Sequence, residues 1–319
     1  MLKKLAGMGL SLALAGTVLA GCGSGHNTGN DNTGSKAAAT YVPKELNVQF
    51  VPSQNDASDL QAKSHPLEQL LSDKLGIPVH VSVSTTYNSI IEAMASKQID
   101  IGFIPASGYI IAHDQKHAAN IILQAERYGV HHPDGKPTHQ LVTTYQAMIL
   151  VRKDSGIKSL KDLKGKKIAW QDPTSPAGYV WPAVEMKKAG VDPVTDVQGD
   201  VMQGHGAAIQ ALVNKQVDAA AVFDDARNIV KKDIPNIFDI TTPLYYTAPI
   251  PNDTICVRPD MDPTWVRKIQ QAFMDIADAK KNPEGHKMIE SIYTHEGYQV
   301  ADDHVFDIAR AYQKELDNQ

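Results

Sequence analysis

Apolar and polar side chains alternate over residues 46–51 (Leu-Asn-Val-Gln-Phe-Val), which predicts a half-buried strand that Pro52 interrupts. Over 66–75, Leu67, Leu70, Leu71 and Leu75 follow helical spacing, with Pro66 suited to the first helical position and Gly76 to a stop. Alternation returns at 79–83; a helix is expected over 88–96 and an apolar strand over 99–104. This β-α-β-α-β run predicts a mainly parallel sheet. Ser107 is placed to cap a helix running through Ile110 to Asp114. Residues 131–140 contain Pro, Gly, Asp and the histidines His131, His132 and His139, and read as a loop. The apolar stretch 141–152 reads as one long strand, with a crossing to a second lobe inside or just after it. A short helix over 160–165 ending in glycine, a strand at 167–170, a helix ending near Gly190 and a strand at 219–223 follow. Residues 248–257 should return the chain to the first lobe. The tail is helical from Trp265, with Ile269, Phe273 and Ile276 on one face, and a last helix covers 305–316.

One phrase occurs twice. Met94-Ala95-Ser96-Lys97-Gln98-Ile99-Asp100-Ile101 is echoed by Leu212-Val213-Asn214-Lys215-Gln216-Val217-Asp218-Ala219, an offset of 118 residues (212 − 94), and Tyr87 answers His205 at the same offset (205 − 87). Each copy reads as strand, polar turn, helix, Lys-Gln and apolar strand. Two α/β lobes of like build, each presenting a polar side chain at a strand end, suggest a trap for a small solute. Open α/β sheets take ligands in the crevice outside the carboxyl ends of their strands.

Composition narrows the partners. The 319 residues carry a formal net charge of −5 and no extended basic run, which argues against nucleic acid. Net charge does not draw anions inward, so any anion selectivity must be local. Lys3 and Lys4, an apolar stretch over 10–20 and the small residues before Cys22 read as a signal peptide. Leu19-Ala20-Gly21-Cys22 resembles a bacterial lipobox, which implies cleavage before Cys22 and a lipid on its sulfur; a secreted protein with an incidental cysteine is the alternative. The apolar stretch falls short of the roughly 20 residues of a spanning helix, so the mature chain is expected to be anchored to a membrane and not inserted in it. Residues 23–39 lack large apolar side chains and read as a flexible tether. Cys256 sits in an apolar strand pattern and reads as a small buried hydrophobe.

Asp172-Pro173-Thr174-Ser175-Pro176-Ala177-Gly178 joins a strand to a helix, with Thr174 or Ser175 as N-cap and Pro176 at the first helical position. Unpaired N–H groups and hydroxyls there could hold an anion without Lys or Arg; the same segment also reads as an ordinary capped helix. Ser53, Tyr87, Ser107 and His205 follow strands in the same way, each also readable as a turn or packing residue. His131 and His132 are adjacent, with no Cys or Glu at a useful spacing, so a solvated loop is expected there rather than a metal site. No Gly-x-Ser-x-Gly, His-Glu-x-x-His or P-loop occurs, and no catalytic role is expected.

These motifs, with Tyr87-Asn88-Ser89-Ile90-Ile91-Glu92-Ala93-Met94, Gly204-His205 and Pro251-Asn252-Asp253, resemble the phosphate, phosphite and phosphonate substrate-binding proteins of bacterial ABC importers from about Leu46 to about Leu316. The resemblance implies an α/β, two-lobed, periplasmic-binding-protein-like (type II) fold with a two-strand hinge near 145–152 and 248–257. It implies a signal peptide over 1–21, a tether over 22–43, lobe 1 over 44–147 plus 252–319, and lobe 2 over 148–251. It implies that Tyr87, Ser175 and His205 hold phosphonate oxygens, and that Asp225 and Asp253 stand where an aminoalkylphosphonate's ammonium end would need acids. The expected ligand set is Ser53, Tyr87, Ser107, Thr174, Ser175, His205, Asp225 and Asp253, with Cys22 lipidated, no metal and no cofactor. Expected partners are a small anionic solute, ABC permease subunits and, through the anchor, a membrane; the chain is expected to be monomeric. Ser175-Pro176-Ala177 replaces a common Ser-Thr-Ser run, and Gly108 separates Ser107 from Tyr109. A binder of another small solute (a sulfonate or vitamin precursor), a surface hydrolase and a metal receptor are the alternatives.

Overall fold

The computed structural model describes residues 40–52 and 57–318. The signal peptide, Cys22, nearly all of the expected tether and Ser53 lie outside them. Tyr41, counted with the tether, is tied down: its N–H donates to Asp260 O (2.6 Å), and the Arg258 guanidinium lies 3.7 Å over its ring.

The chain opens with β1 (Leu46–Phe50), α1 (Ala57–Ser64), α2 (Pro66–Leu75), β2 (Val79–Val83), α3 (Tyr87–Ala95), β3 (Ile101–Ile104) and α4 (Ala106–Ile110). A long hairpin follows, β4 (Asn120–His131) with β5 (Lys136–Val142), then the short β6 (Thr144–Tyr145). The middle of the chain supplies β7 (Ala147–Arg152), β8 (Lys167–Trp170), α5 (Trp181–Lys188), β9 (Gln198–Val201), α6 (His205–Val213), β10 (Ala219–Phe223), α7 (Arg227–Val230), α8 (Ile237–Ile240) and β11 (Thr241–Tyr246). It then returns through β12 (Ile250–Pro251) to β13 (Thr254–Val257), α9 (Pro263–Ala277), α10 (Pro283–Tyr293), β14 (Gly297–Val300) and α11 (Asp307–Asp317).

These strands form a seven-stranded sheet, ordered β14-β4-β13-β3-β1-β2 with β5 on β4, and a five-stranded sheet, ordered β11-β7-β10-β8-β9. The only strand ribbon described between them pairs β6 with β12, Tyr145 opposite Ile250 and Thr144 opposite Pro251. The fold is the expected two-lobed α/β architecture. The expectation of a mainly parallel sheet is corrected: β1 runs parallel to β2 and β3, but β13, β4, β14 and β5 pair antiparallel. The chain that returns from the second sheet enters the first in the opposite direction, and the β4–β5 hairpin reverses it again. The expected loop at 131–140 is also corrected, because β4 runs to His131 and β5 starts at Lys136. Both strands of that hairpin end are largely solvated, so their polar composition concealed the pairing. The single strand expected over 141–152 is three pieces, and the break is where the chain changes sheet.

The repeated phrase has a structural meaning. Lys97 and Lys215 both take the left-handed conformation (φ 57° and 61°) at the end of their helices. Asp100 then pins the start of β1, accepting from Asn47 N–H through Oδ2 (2.9 Å) while its own N–H donates to Asn47 O (2.9 Å). Asp218 does the same to β8, accepting from Lys167 N–H (3.0 Å) and donating to Lys167 O (2.8 Å). Each also faces an arginine, Arg258 at 3.2 Å and Arg152 at 3.9 Å. The aspartate therefore sets which residue of the neighbouring strand lies beside it. The polar residue at the far end of each motif, Tyr87 or His205, then falls at the start of the helix that follows its strand.

The apolar face read from the tail packs as expected: Ile269, Phe273 and Ile276 of α9 are buried, and Phe273 meets Phe103 edge-on at 5.5 Å. Phe103 in turn stacks on Phe50 at 4.0 Å, which ties α9 to the central strands β1 and β3. Cys256 is fully buried, and burial raises its thiol pKa to about 12, so it is unreactive.

The aspartate clamps predict unequal costs. Asp100 is buried with Arg258, whereas Asp218 is more than a third exposed. Asp100→Ala should cost about 3 kcal/mol and Asp218→Ala about 1 kcal/mol, measured by urea unfolding.

Candidate ligand-binding site

A cavity of about 40 Å³ lies where the two sheets face each other, at the carboxyl ends of their strands. The first sheet's side contributes Tyr87, Arg127 and Asp253, and the second's contributes Ser175, His205 and Phe223, with hinge residue Tyr145 between them. Tyr87 is the first residue of α3. Thr86 caps that helix through a reciprocal capping box, Thr86 Oγ1 accepting from Ser89 N–H (3.1 Å) and Ser89 Oγ accepting from Thr86 N–H (3.0 Å). His205 is the first residue of α6. The chain enters it through Gly204 at φ 86°, a conformation that favours glycine.

Ser175 caps the helical turn after β8, its Oγ accepting from Gly178 N–H at 3.2 Å. Its hydroxyl hydrogen remains available to a ligand. The expected row of open N–H groups is shorter than the sequence suggested, because Pro176 has none and Gly178 has given its own to Ser175. Trp181 opens α5, stacked on Tyr312 at 4.6 Å, and Pro182 is accommodated because it falls in the first turn of that helix, where an N–H is not required.

His205 is 3% exposed and meets Phe223 edge-on at 4.7 Å. Its Nδ1 has no hydrogen-bond partner among the described residues. Burial, reinforced by Arg127 and partly opposed by Asp253, pushes its pKa down to about 3. The imidazole is therefore neutral at physiological pH and offers one N–H and one lone pair.

Arg127, on β4, adds a charged group to the cavity wall beside the uncharged donors expected from the sequence. Its side chain is 12% exposed, and Nη2 lies 3.1 Å from Asp225 Oδ1. Its guanidinium sits against the rings of Phe223 (5.4 Å) and Tyr145 (5.6 Å). Burial works against its charge, but Asp225, Asp224 and Asp253 more than offset that and raise its pKa. Its Nε is buried without a partner among the described residues. Asn252 supports the wall: Nδ2 donates to Ala125 O (3.0 Å) and Val142 O (2.9 Å), locking the segment after the hinge onto β4 and β5.

The structure brings Tyr87, Ser175, His205 and Asp253 together at the cavity. Of the other expected residues, Ser53 lies outside the described ones, and Thr174, Ser107 and Asp225 are not among those lining the cavity. Thr174 turns its hydroxyl to Asp172 Oδ1 (2.8 Å) and does not line the cavity. Ser107 lies within α4, whose N-cap position is Pro105; it is buried, it is not among the residues lining the cavity, and its hydroxyl has no hydrogen-bond partner among the described residues. Asp225 stands behind Arg127 as its partner. Sequence reasoning missed Arg127, Tyr145 and Asn252. Pro251-Asn252-Asp253 did mark the right segment, but a single arginine inside a strand pattern carries no local signal.

Residues 50–306 match the family model described as ABC transporter, phosphonate, periplasmic substrate-binding protein. The chain belongs to that family. It is 26% identical over 262 residues, 81% of this chain and 73% of the relative, to the phosphonates-binding periplasmic protein of Escherichia coli strain K12. It is 26% identical over 211 residues, 62% of this chain and 60% of the relative, to the phosphate-import protein PhnD of Mycolicibacterium smegmatis. Among solved structures, PhnD1 from Prochlorococcus marinus in complex with methylphosphonate superposes with a TM-score of 0.72 at 17% identity, covering 87% of this chain and all of that one. This family member is thus a substrate-binding component of an ABC transporter and not an enzyme, and it acts outside the cytoplasm.

His205 carries a pH signature. The folded protein keeps it neutral to about 3, whereas an unfolded chain protonates it below about pH 6.5. It therefore removes stability progressively as pH falls from about 6.5 toward 3 and has no effect on it above that window. Its ring resonances should hold the neutral position down to about pH 5, and His205→Ala should lose less melting temperature on acidification than the parent protein.

Proposed function

We propose that the protein is the lipid-anchored receptor of an ABC importer and that it binds a small phosphorus oxyanion in the cavity between its lobes. The observation that carries this reading is the meeting of Tyr87, Ser175 and His205 at one cavity. They come from the starts of three helical segments on two different sheets, and a buried His205 nitrogen stands open toward a ligand. A cavity of about 40 Å³ suits a compact oxyanion. Tyr87, the Ser175 hydroxyl and His205 supply uncharged donors, and Arg127 supplies charge. Family membership, and the substrates named for the two curated relatives, support a phosphorus-containing ligand.

On this reading residues 44–147 plus 252–319 form one lobe and 148–251 the other, turning about the β6–β12 ribbon. A ligand that touches both lobes favours the closed arrangement, which is the form a permease would recognise. Binding requires no chemistry of the protein. Cys22 carries the lipid, residues 22–39 span the gap between membrane and folded body, and the receptor works as a monomer.

Calorimetric titration with phosphite, methylphosphonate, phosphate and an alkanesulfonate tests the ligand class. At least one phosphorus oxyanion should bind at micromolar affinity or better, and Ser175→Ala and His205→Ala should each weaken it about 10- to 100-fold. Tight sulfonate binding left intact by both substitutions would instead identify a sulfonate receptor. For the anchor, labelling with a radioactive fatty acid should mark the parent protein and not Cys22→Ala, which should be released into the medium or periplasm.

A further inference from the structure

We propose that Arg127 is a built-in counter-cation that makes this receptor select phosphorus oxyanions carrying no ammonium group. The proposal rests on the reading of the cavity as an oxyanion site. A receptor for a zwitterionic aminoalkylphosphonate must hold carboxylates open for the ammonium. Here one of the acids around the cavity is already matched by a permanent cation of the protein's own, Asp225 lying 3.1 Å from Arg127. Asp224 and Asp253 face only imidazoles, His132 Nε2 at 3.2 Å and His295 Nε2 at 3.6 Å, and burial lowers the pKa of His295. Only Asp253 of the three reaches the cavity wall, and Arg127 stands in the same wall.

The guanidinium cannot yield its proton to make room for a second cation. Tyr145 and Phe223 hold it from the sides, and Asp225 holds it from behind. An ammonium approaching Asp253 would share a small, poorly solvated space with it, where like charges repel far more than in water. For an anion the same arrangement is favourable. Arg127 Nε and His205 Nδ1 are both buried without partners among the described residues and belong to residues of one cavity, so an oxyanion can take a charge-assisted hydrogen bond from the first and a neutral one from the second. The neighbouring hollow beside Tyr87 contains one further acid, Asp172, whose Oδ1 already accepts two hydrogen bonds from Thr174. Asp225 is thereby reassigned from ligand contact to the residue that orients and balances Arg127.

Two ligands of nearly equal shape isolate the charge: propylphosphonate and 2-aminoethylphosphonate, titrated by calorimetry into the full-length protein in detergent. The parent protein should prefer propylphosphonate at least about 10-fold. Arg127→Met should weaken propylphosphonate about 10-fold or more and abolish that preference, while Arg127→Lys should retain it. Asp225→Asn, which leaves Arg127 charged and unbalanced, should tighten propylphosphonate. Equal or tighter binding of 2-aminoethylphosphonate by the parent, or its selective loss in Asp225→Asn, would overturn the inference while leaving the oxyanion receptor standing. Failure of every phosphorus compound to bind would remove the functional reading and this inference together. Should Arg127→Met not fold, the parent preference and the Asp225→Asn result still decide the matter.

Discussion

The pairing of Thr144–Tyr145 with Ile250–Pro251 is the constraint on which the rest of the molecule depends. It joins two sheets that otherwise fold around their own strand orders, and it sets their carboxyl ends against one crevice. Tyr145 belongs both to this ribbon and to the cavity wall, and Asn252, directly after it, is bonded to β4 and β5. Ribbon and cavity are therefore continuous. A displacement of the ribbon would move an aromatic wall of the cavity, and on the proposed reading a ligand that fixes the wall would limit the hinge.

The site is built from polar groups that the fold leaves incompletely paired. Buried donors without partners are costly, and most proteins avoid them. Here Arg127 Nε and His205 Nδ1 have no partner among the described residues, and both residues line the same cavity. Their cost is carried by well-satisfied structure nearby, including the capping box of α3, the Ser175 cap and the two aspartate clamps. The clamps place each strand relative to its neighbour, so that the helix starts which carry Tyr87 and His205 meet across the crevice. The fold thus holds these groups in position, and on the proposed reading less ordering would be left for binding to impose.

Local pattern revealed much of this. Helix α2, strands β2, β8 and β10 and the buried face of α9 follow from apolar spacing and from proline and glycine punctuation. The twofold Lys-Gln-x-Asp phrase revealed the like build of the lobes, because an aspartate that must bond a neighbouring strand's backbone recurs wherever that geometry does. Antiparallel pairing in the first sheet and the β4–β5 hairpin were not legible. Strand direction is set by how the chain returns from the second lobe, and a solvated hairpin reads like a loop.

For the site, the sequence by itself determined the helix starts: Tyr87, Ser175 and His205 are fixed there by caps, a proline and a glycine that act within a few residues of each. It also determined that no large net positive charge assists an anion. Only the tertiary structure decided what fills the space between them. Arg127 comes from the middle of a strand and Asp225 from a turn nearly a hundred residues away, and they meet only because two lobes close on one crevice. Local forces place a residue on its own element, whereas a buried ion pair exists only where distant segments have excluded water together.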